Sequence, residues 1–449
     1  MAQIDTVFKA YDVRGTVPDE LDADLVEATG AAFAHLMKQE GARRVLICRD
    51  MRPSGVEFVE RFAKGVTGQG LDVVDLGMGS TDLLYFAAGH LDAPGAMLTA
   101  SHNPAQYNGI KLCRAGARPV GLESGLGTIK DTIIAGGPAT VDAPGTLSQQ
   151  DVMADFVNHV RSFVDTSSLR PLKIVADTAN GMGGLVAPKV FEGLPFDVEI
   201  MYPELDGTFP NHPADPIQPE NLVDLQKRVL EVGADIGLAF DGDADRVFLV
   251  DDKAQLVSGS ITTAMVADSI LQKRSGEAVV YNVVCSKTVP EVIAGRGGKP
   301  IRSRVGHSFI KGLMAENNAV FGGEHSGHYY FRDNFFADSG IIAAMITLEM
   351  VSVANKPLSE LREPLERYAA SGEINTKVSD TNRVIDYVAE QYKDAQQDRL
   401  DGLTVDFGDW WFSLRPSNTE PLLRLNLEAP TREEVDARVS EVRAMFDKA

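Results

Sequence analysis

Arg44 to Leu76, RVLICRDMRPSGVEFVERFAKGVTGQGLDVVDL, is the stretch on which the fold turns. Arg44–Cys48 is a short apolar run of the kind buried in a sheet. Pro53-Ser54 then opens a helix in which Val59, Phe62 and Val66 recur at helical spacing. Asp72–Leu76 reads as a second strand. Strand, helix and strand in succession argue for parallel pairing in an α/β architecture, whose working loops lie beyond the carboxyl ends of the strands.

The alternation continues outward. Ala96–Thr99 and Gly109–Leu112 are strand candidates, and residues 138–146, with Pro138 and Pro144, read as a linker. A second unit opens with Leu172–Ala176, passes a proline-rich segment from Pro203 to Pro219, and carries Leu222, Leu225 and Val229 on one helix face. It closes with the strand Asp235–Phe240. A third begins near Val250, contains the strand Ala278–Val284 and runs to Ala369. From residue 370 the pattern changes to strands at Leu403–Phe407, Trp410–Leu414 and Leu422–Leu427, then a helix from Arg432. That helix starts with a Thr431/Glu434 capping box and aligns Val435, Val439, Val442 and Phe446. The expected domains are 1–143, 144–249, 250–369 and 370–449, three mixed-sheet α/β units and a smaller α+β one. A chain of 449 residues agrees, at about 100–200 residues per domain.

Composition narrows the class. With 44% hydrophobic and 24% charged residues the chain reads as a globular protein. No apolar stretch nears the ~18 residues of a membrane span, and the N-terminus does not read as a secretory signal. Cys48, Cys113 and Cys285 are odd in number and far apart, which argues for a reducing, cytoplasmic setting. A formal charge of −21 makes nucleic acid and anionic membranes poor partners. A phosphorylated substrate would need its cations concentrated in particular loops.

Four loops carry the candidate chemistry. Phe240-Asp241-Gly242-Asp243-Ala244-Asp245-Arg246 places a carboxylate at every second position of a turn, an all-oxygen set suited to Mg²⁺, Mn²⁺ or Ca²⁺. An EF-hand would need Gly and Glu where Arg246 and Asp252 stand, so that reading fails. A solvated acidic turn is the plain alternative, although three carboxylates at this spacing repel one another without a counterion. Thr99-Ala100-Ser101-His102-Asn103-Pro104 puts a serine just past a strand, with Tyr107, Asn108, Gly109 and Lys111 behind it. A seryl hydroxyl needs a base or a metal to react. His102 is its neighbour, but adjacent side chains usually point apart, so His102 is not expected as the base. Otherwise Ser101 is an ordinary cap or turn residue.

Gly322-Gly323-Glu324-His325-Ser326-Gly327-His328 has the groups to grasp sugar hydroxyls, with a histidine for proton transfer near neutral pH. A metal cluster or a structural histidine pair are its rivals. Arg415-Pro416-Ser417-Asn418-Thr419-Glu420-Pro421 offers a guanidinium, hydroxyls and an amide as a phosphate nest, or else is a plain hairpin turn. Lys287 and His307 are further basic candidates. Ser308-x-x-Lys311 lacks the companion motifs of penicillin-recognising enzymes and is set aside. Together, an activatable hydroxyl and a hard-cation cradle are what phosphoryl transfer through a phosphoserine requires.

On these loops, with Phe8-Lys9-Ala10-Tyr11-Asp12-Val13-Arg14-Gly15 at the start, the chain resembles the α-D-phosphohexomutases, most closely the bacterial phosphomannomutase/phosphoglucomutase branch. The resemblance implies four domains around a central cleft, the last one mobile. It implies Ser101 as the phosphoserine, and one Mg²⁺ held by Asp241, Asp243, Asp245 and a phosphoserine oxygen. Tyr11, Arg14, Lys111 and Arg246 would line the reaction centre, Glu324 and Ser326 hold the sugar, and His328 or Lys111 act as acid/base. Arg415, Ser417, Asn418 and Thr419 would clamp the other phosphate. The implied reaction converts mannose 6-phosphate and mannose 1-phosphate, with the glucose phosphates as further substrates, through a hexose 1,6-bisphosphate; monomer and homodimer both remain open. The Gly-Glu-His-Ser-Gly-His form differs from the Gln-containing loop of phosphoglucosamine mutases, the nearest alternative. An aspartyl-phosphate phosphatase built on Asp241-x-Asp243 and a non-catalytic sugar-phosphate sensor are the rivals from other classes.

Overall fold

The Arg44–Leu76 stretch folds as strand, helix and strand. In this computed structural model residues 2–416 and 422–448 are described; Ser417, Asn418 and Thr419 therefore lie outside the described residues. The first sheet holds β1 (Val13–Thr16), β2 (Arg44–Arg49), β3 (Asp72–Met78), β4 (Gly95–Leu98), β5 (Tyr107–Cys113) and β6 (Leu147–Gln149), in the order β1-β5-β4-β2-β3-β6. Strand β2 is parallel to β3 and β4, and β5 runs antiparallel to β4 and β1. The helix Gly55–Thr67 buries Phe58, Phe62 and Val66. Phe58 thus takes the first core position, with the expected Val59 only partly buried, because the apolar stripe repeats every four residues from Phe58. Helix Ala23–Gln39 packs on this one with Gly30 against the Phe62 carbonyl and Gly65 against the Glu27 carbonyl. A side chain at either glycine would force the helices apart.

The second sheet contains β7 (Leu172–Asp177), β8 (Phe196–Met201), β9 (Ile236–Phe240), β10 (Val247–Asp251) and β11 (Leu256–Val257), ordered β11-β10-β9-β7-β8. Its parallel centre, β8-β7-β9, turns antiparallel at β10, and the aspartate loop is the β9–β10 connection. Leu222, Leu225 and Val229 pack beneath it on helix Val223–Val232 and the turn before it, as the spacing predicts.

Further on, β12 (Ala278–Asn282) pairs in parallel with β13 (Lys299–Ser303) and β14 (Phe321–Gly323), and β15 (Tyr329–Phe331) pairs antiparallel with β16 (Ala337–Asp338). Helix Gly340–Ala354 is buried almost all round, so it carries no amphipathic stripe for a sequence reading to find. Among the described residues no single helix is long and apolar enough to cross a membrane. The C-terminal sheet is antiparallel through β17 (Ala369–Ala370), β18 (Ile374–Lys377), β19 (Gln396–Asp398), β20 (Leu403–Asp406), β21 (Trp411–Pro416) and β22 (Leu422–Ala429). Helix Arg432–Arg443 is capped by Thr431, whose hydroxyl accepts from Glu434 N at 3.2 Å, and Val435 and Val442 sit in the core. The fold is therefore three mixed-sheet α/β regions and an α+β C-terminal region. By compactness the chain forms two units: residues up to Ser258 with Ser326–Ser359, and Gly259–His325 with the segment from Glu360.

Candidate active site

Everything expected at the reaction centre lies in the first compact unit. The serine loop leaves the carboxyl end of β4, where an open α/β sheet presents its working groups. Ser101 is 1% exposed and holds a left-handed backbone, φ 51°, a conformation that a non-glycine residue adopts only when its surroundings enforce it. The enforcing group is Arg52. Its buried guanidinium donates to the carbonyl oxygens of Ser101 (2.9 Å), Asn103 (2.6 Å), Pro104 (2.8 Å) and Tyr107 (2.8 Å), and to Asp50 (3.2 Å). Sequence reasoning missed Arg52, since Asp50-Met51-Arg52-Pro53 looks like an ordinary strand-to-helix turn.

The same backbone bend overturns one expectation. His102 does not point away from Ser101: its Nδ1 lies 3.2 Å from the Ser101 Oγ and 2.7 Å from the Arg246 guanidinium. Burial, then Arg246 and Arg14, hold this imidazole well below its ordinary pKa, hence uncharged.

The aspartate loop meets the serine loop directly. The Ser101 hydroxyl donates to Asp241 Oδ2 at 2.9 Å. Gly242 is required at that approach, because a Cβ there would collide with the Ser101 carbonyl oxygen. Asp241, Asp243 and Asp245 are fully or almost fully buried, and one oxygen from each lies within 4.8 Å of the others. Burial, with Asp245 and Asp243 alongside, pushes the Asp241 carboxyl well above its ordinary range. Asp243 Oδ1 and Asp245 Oδ1 are buried without a hydrogen-bond partner. Two orphaned carboxylate oxygens in an all-oxygen, triply acidic set fit a hard divalent cation such as Mg²⁺.

Cations surround this cluster. The Lys111 ammonium, on β5, donates to Asp243 and Asp245 at 2.7 Å each. Burial pulls its pKa down, but the two aspartates outweigh that and hold it well above the ordinary value. Arg246 Nε is 3.4 Å from Asp241, and its backbone bridges to His328. That bridge brings His328 Nε2 to 3.7 Å from Asp245 Oδ1, with Ser326 Oγ 3.1 Å from its Nδ1. Arg14 donates to Asn103 of the serine loop at 2.5 Å and pairs with Asp12; Tyr11 stands half-buried just before β1. Thr81, at the start of helix Thr81–His90, donates to Asp243 Oδ2 at 2.5 Å, a tie between distant segments with no sequence signal.

The remaining expected residues lie in the second unit. Buried Glu324 accepts from Asn282 Nδ2 at 3.0 Å and from Gly306 N at 3.3 Å, and His307 opens the helix His307–Asn317. The Lys287 ammonium donates to Asp406 at 2.7 Å and to the Gly408 carbonyl at 2.6 Å. Arg415 pairs with Glu373 at 3.3 Å and Asp401 at 3.7 Å, and burial lowers its pKa.

Comparison with known proteins agrees along the chain. The phosphoglucomutase/phosphomannomutase alpha/beta/alpha domain I matches residues 5–133, domain II 154–255, domain III 258–368 and the C-terminal domain 373–445. A Xanthomonas campestris relative named for phosphohexose mutases is 40% identical over 425 residues, 94% of either chain. A Salmonella typhimurium phosphomannomutase is 38% identical over 435 residues, 94% of this chain and 95% of the relative. The solved structure of a phosphoglucomutase/phosphomannomutase family protein from Burkholderia thailandensis superposes with a TM-score of 0.90 at 30% identity, covering 99% and 97% of the two chains. With all four family domains matched in order, the chain belongs to the phosphoglucomutase/phosphomannomutase family, the phosphohexomutases, which are intramolecular phosphotransferases of the isomerase class.

Proposed function

We propose that this phosphohexomutase interconverts mannose 6-phosphate and mannose 1-phosphate, and also the glucose phosphates, through phosphoserine 101 and a hexose 1,6-bisphosphate. The observation that carries the reading is the 2.9 Å contact between the Ser101 hydroxyl and the aspartate set. The family's reaction needs a phosphate carrier beside a cation site, and a phosphomannomutase is among the relatives. The four segments 1–143, 144–249, 250–369 and 370–449 are proposed as its domains.

In the first half-reaction the bond between phosphorus and Ser101 Oγ breaks as a new one forms to the sugar's free hydroxyl. The hydroxyl proton passes to His328. His328 is favoured over Lys111 because Asp243 and Asp245, to which the lysine donates, hold its proton in place. When bound, Mg²⁺ would be held by Asp241, Asp243, Asp245 and a phosphoserine oxygen, and would supply neutralising charge at the transferring group. Arg246, Lys111 and Arg14 add positive charge near Ser101, and Tyr11 would line the same region. After the bisphosphate turns over, its other phosphate returns to Ser101 and the freed sugar oxygen takes the proton back from His328. Glu324 and Ser326 would grip sugar hydroxyls. Arg415, Ser417, Asn418 and Thr419 would clamp the non-reacting phosphate, and Lys287 and His307 would be further substrate-binding groups.

Turnover of mannose, glucose and glucosamine 1-phosphates, measured with Mg²⁺ and a trace of hexose 1,6-bisphosphate, tests the reading. Conversion of the first two, with glucosamine phosphate much slower, is the expected result. Preference for glucosamine phosphate would overturn the substrate assignment, and no turnover of any would overturn the mutase.

A further inference from the structure

A second buried carboxylate faces His328, and no step above uses it. One ring nitrogen of His328 and one oxygen each of Asp245 and Asp338 all lie within 4.8 Å of one another. Asp338 is 3% exposed. Strand register puts it there: Tyr330 pairs with Asp338 and Phe331 with Ala337, so Asp338 is the diagonal neighbour of His328 on one face. Diagonal neighbours across an antiparallel pair are within reach of long or ring-bearing side chains. The Tyr330 ring stacks beside the imidazole, with centroids 6.2 Å apart.

The segment bearing Asp338 is tied down on both sides. Ser339 N donates to the Tyr329 carbonyl at 2.9 Å, which extends the hairpin. The Ser339 hydroxyl donates to buried Asp82 at 2.6 Å and accepts from Ile342 N at 3.2 Å, capping the helix Gly340–Ala354. Gly340 lies against the Arg246 backbone, where a Cβ would sit 2.6 Å from the carbonyl carbon. Asp338 therefore rides on a junction packed against the aspartate loop itself, which fixes the backbone that carries it.

The two carboxylates near the ring differ in what else they serve. Asp245 accepts from Lys111 at 2.7 Å and belongs to the cation set. Asp338 stands outside the Asp241, Asp243 and Asp245 set, although with Asp245 and His328 it makes a second group that could hold a cation. A base that swings loose loses its proton-transfer geometry, and a fixed carboxylate is a common way to hold an imidazole in place. We propose that Asp338 is a positioning residue that orients the His328 ring toward the sugar hydroxyl and gives the transferred proton a nearby countercharge. This rests on the reading of His328 as the acid/base.

A double-mutant cycle on the Mg²⁺-loaded, phosphorylated enzyme tests it, with mannose 1-phosphate as substrate. Asp338→Asn should lower kcat by about 100-fold. KM should stay within about twofold, because a positioning residue acts on turnover rather than on uniform binding. Asp338→Glu, which keeps the charge, should recover part of the loss. In a His328→Gln background Asp338→Asn should cost no more than about threefold, since the group it orients is gone. The same fold loss in both backgrounds, or a loss carried by KM, would overturn the proposal as a merely structural effect. Should the amide variant fail to fold, Asp338→Glu carries the same cycle, its smaller loss again vanishing in the His328→Gln background. Full turnover in His328→Gln alone would instead defeat the acid/base reading beneath it, an outcome separable from failure of the cycle.

Discussion

In the first compact unit three buried aspartates crowd together with two of their oxygens lacking a hydrogen bond. In the second, the basic residues expected to bind substrate already have carboxylate partners: Lys287 holds Asp406 at 2.7 Å, and Arg415 holds Glu373 and Asp401. The first region keeps two carboxylate oxygens without a hydrogen bond among its cations and can receive a further one. The second has its cations already paired, so an incoming phosphate there would compete with carboxylates for the guanidinium and ammonium groups. The difference teaches where each kind of substitution should register. Changes in the first region should strike turnover, and changes in the second should strike binding.

The largest effect that would break this division is at Ser101. Ser101→Ala should lower steady-state turnover by about 10⁴-fold or more, while calorimetry still finds substrate binding. Turnover left intact would remove the covalent route. Chelation with EDTA comes next: activity should vanish and return on adding Mg²⁺, because the crowded carboxylates of Asp241, Asp243 and Asp245 need a counterion. Activity that persists after exhaustive chelation would mean that Lys111 and Arg246 suffice. Gly242→Ala should cut kcat by about 100-fold through displacement of the Ser101 loop, since misplacing a reacting group by about 1 Å costs that much. An unchanged rate would show that the close approach is not needed.

In the second region the effects are smaller and fall on KM. Arg415→Ala should raise KM about tenfold, the loss of one charge-assisted contact. Glu373→Gln, by removing a competitor for the same guanidinium, should lower KM. If Glu373→Gln raises KM instead, Glu373 positions Arg415 rather than competing with the phosphate. Smallest of all, Thr431→Ala should cost about 1 kcal/mol of stability through the lost helix cap. Its kcat and KM should be unchanged, as denaturant melts and steady-state kinetics would show.

The chemistry of the loops was legible because it is local. Three carboxylates in five residues, or a serine just beyond a strand, carry their meaning in adjacent positions. Strands such as Arg44–Arg49 and the capped helix Arg432–Arg443 announced themselves by period and by cap. What stayed hidden depends on partners far along the chain. Arg52 reaches carbonyls 49 to 55 residues away, and Thr81 meets Asp243 across 162. The ammonium of Lys287 looked available until Asp406 was found on it, 119 residues later. His102 departs from the expectation because the left-handed turn at Ser101 breaks the usual alternation of side chains. Helix Gly340–Ala354 escaped for the opposite reason: a helix buried on every side has no polar face to betray its period.

The proposal that Ser101, lying against the three buried aspartates, carries the phosphoryl group is open to direct test. Incubating the purified protein with radiolabelled glucose 1,6-bisphosphate and Mg²⁺, then mapping the labelled peptide, tests it most directly. Acid-stable label is expected on the peptide that contains Ser101. Alkali-labile label on Asp241 or Asp243, or no label at all, would contradict it.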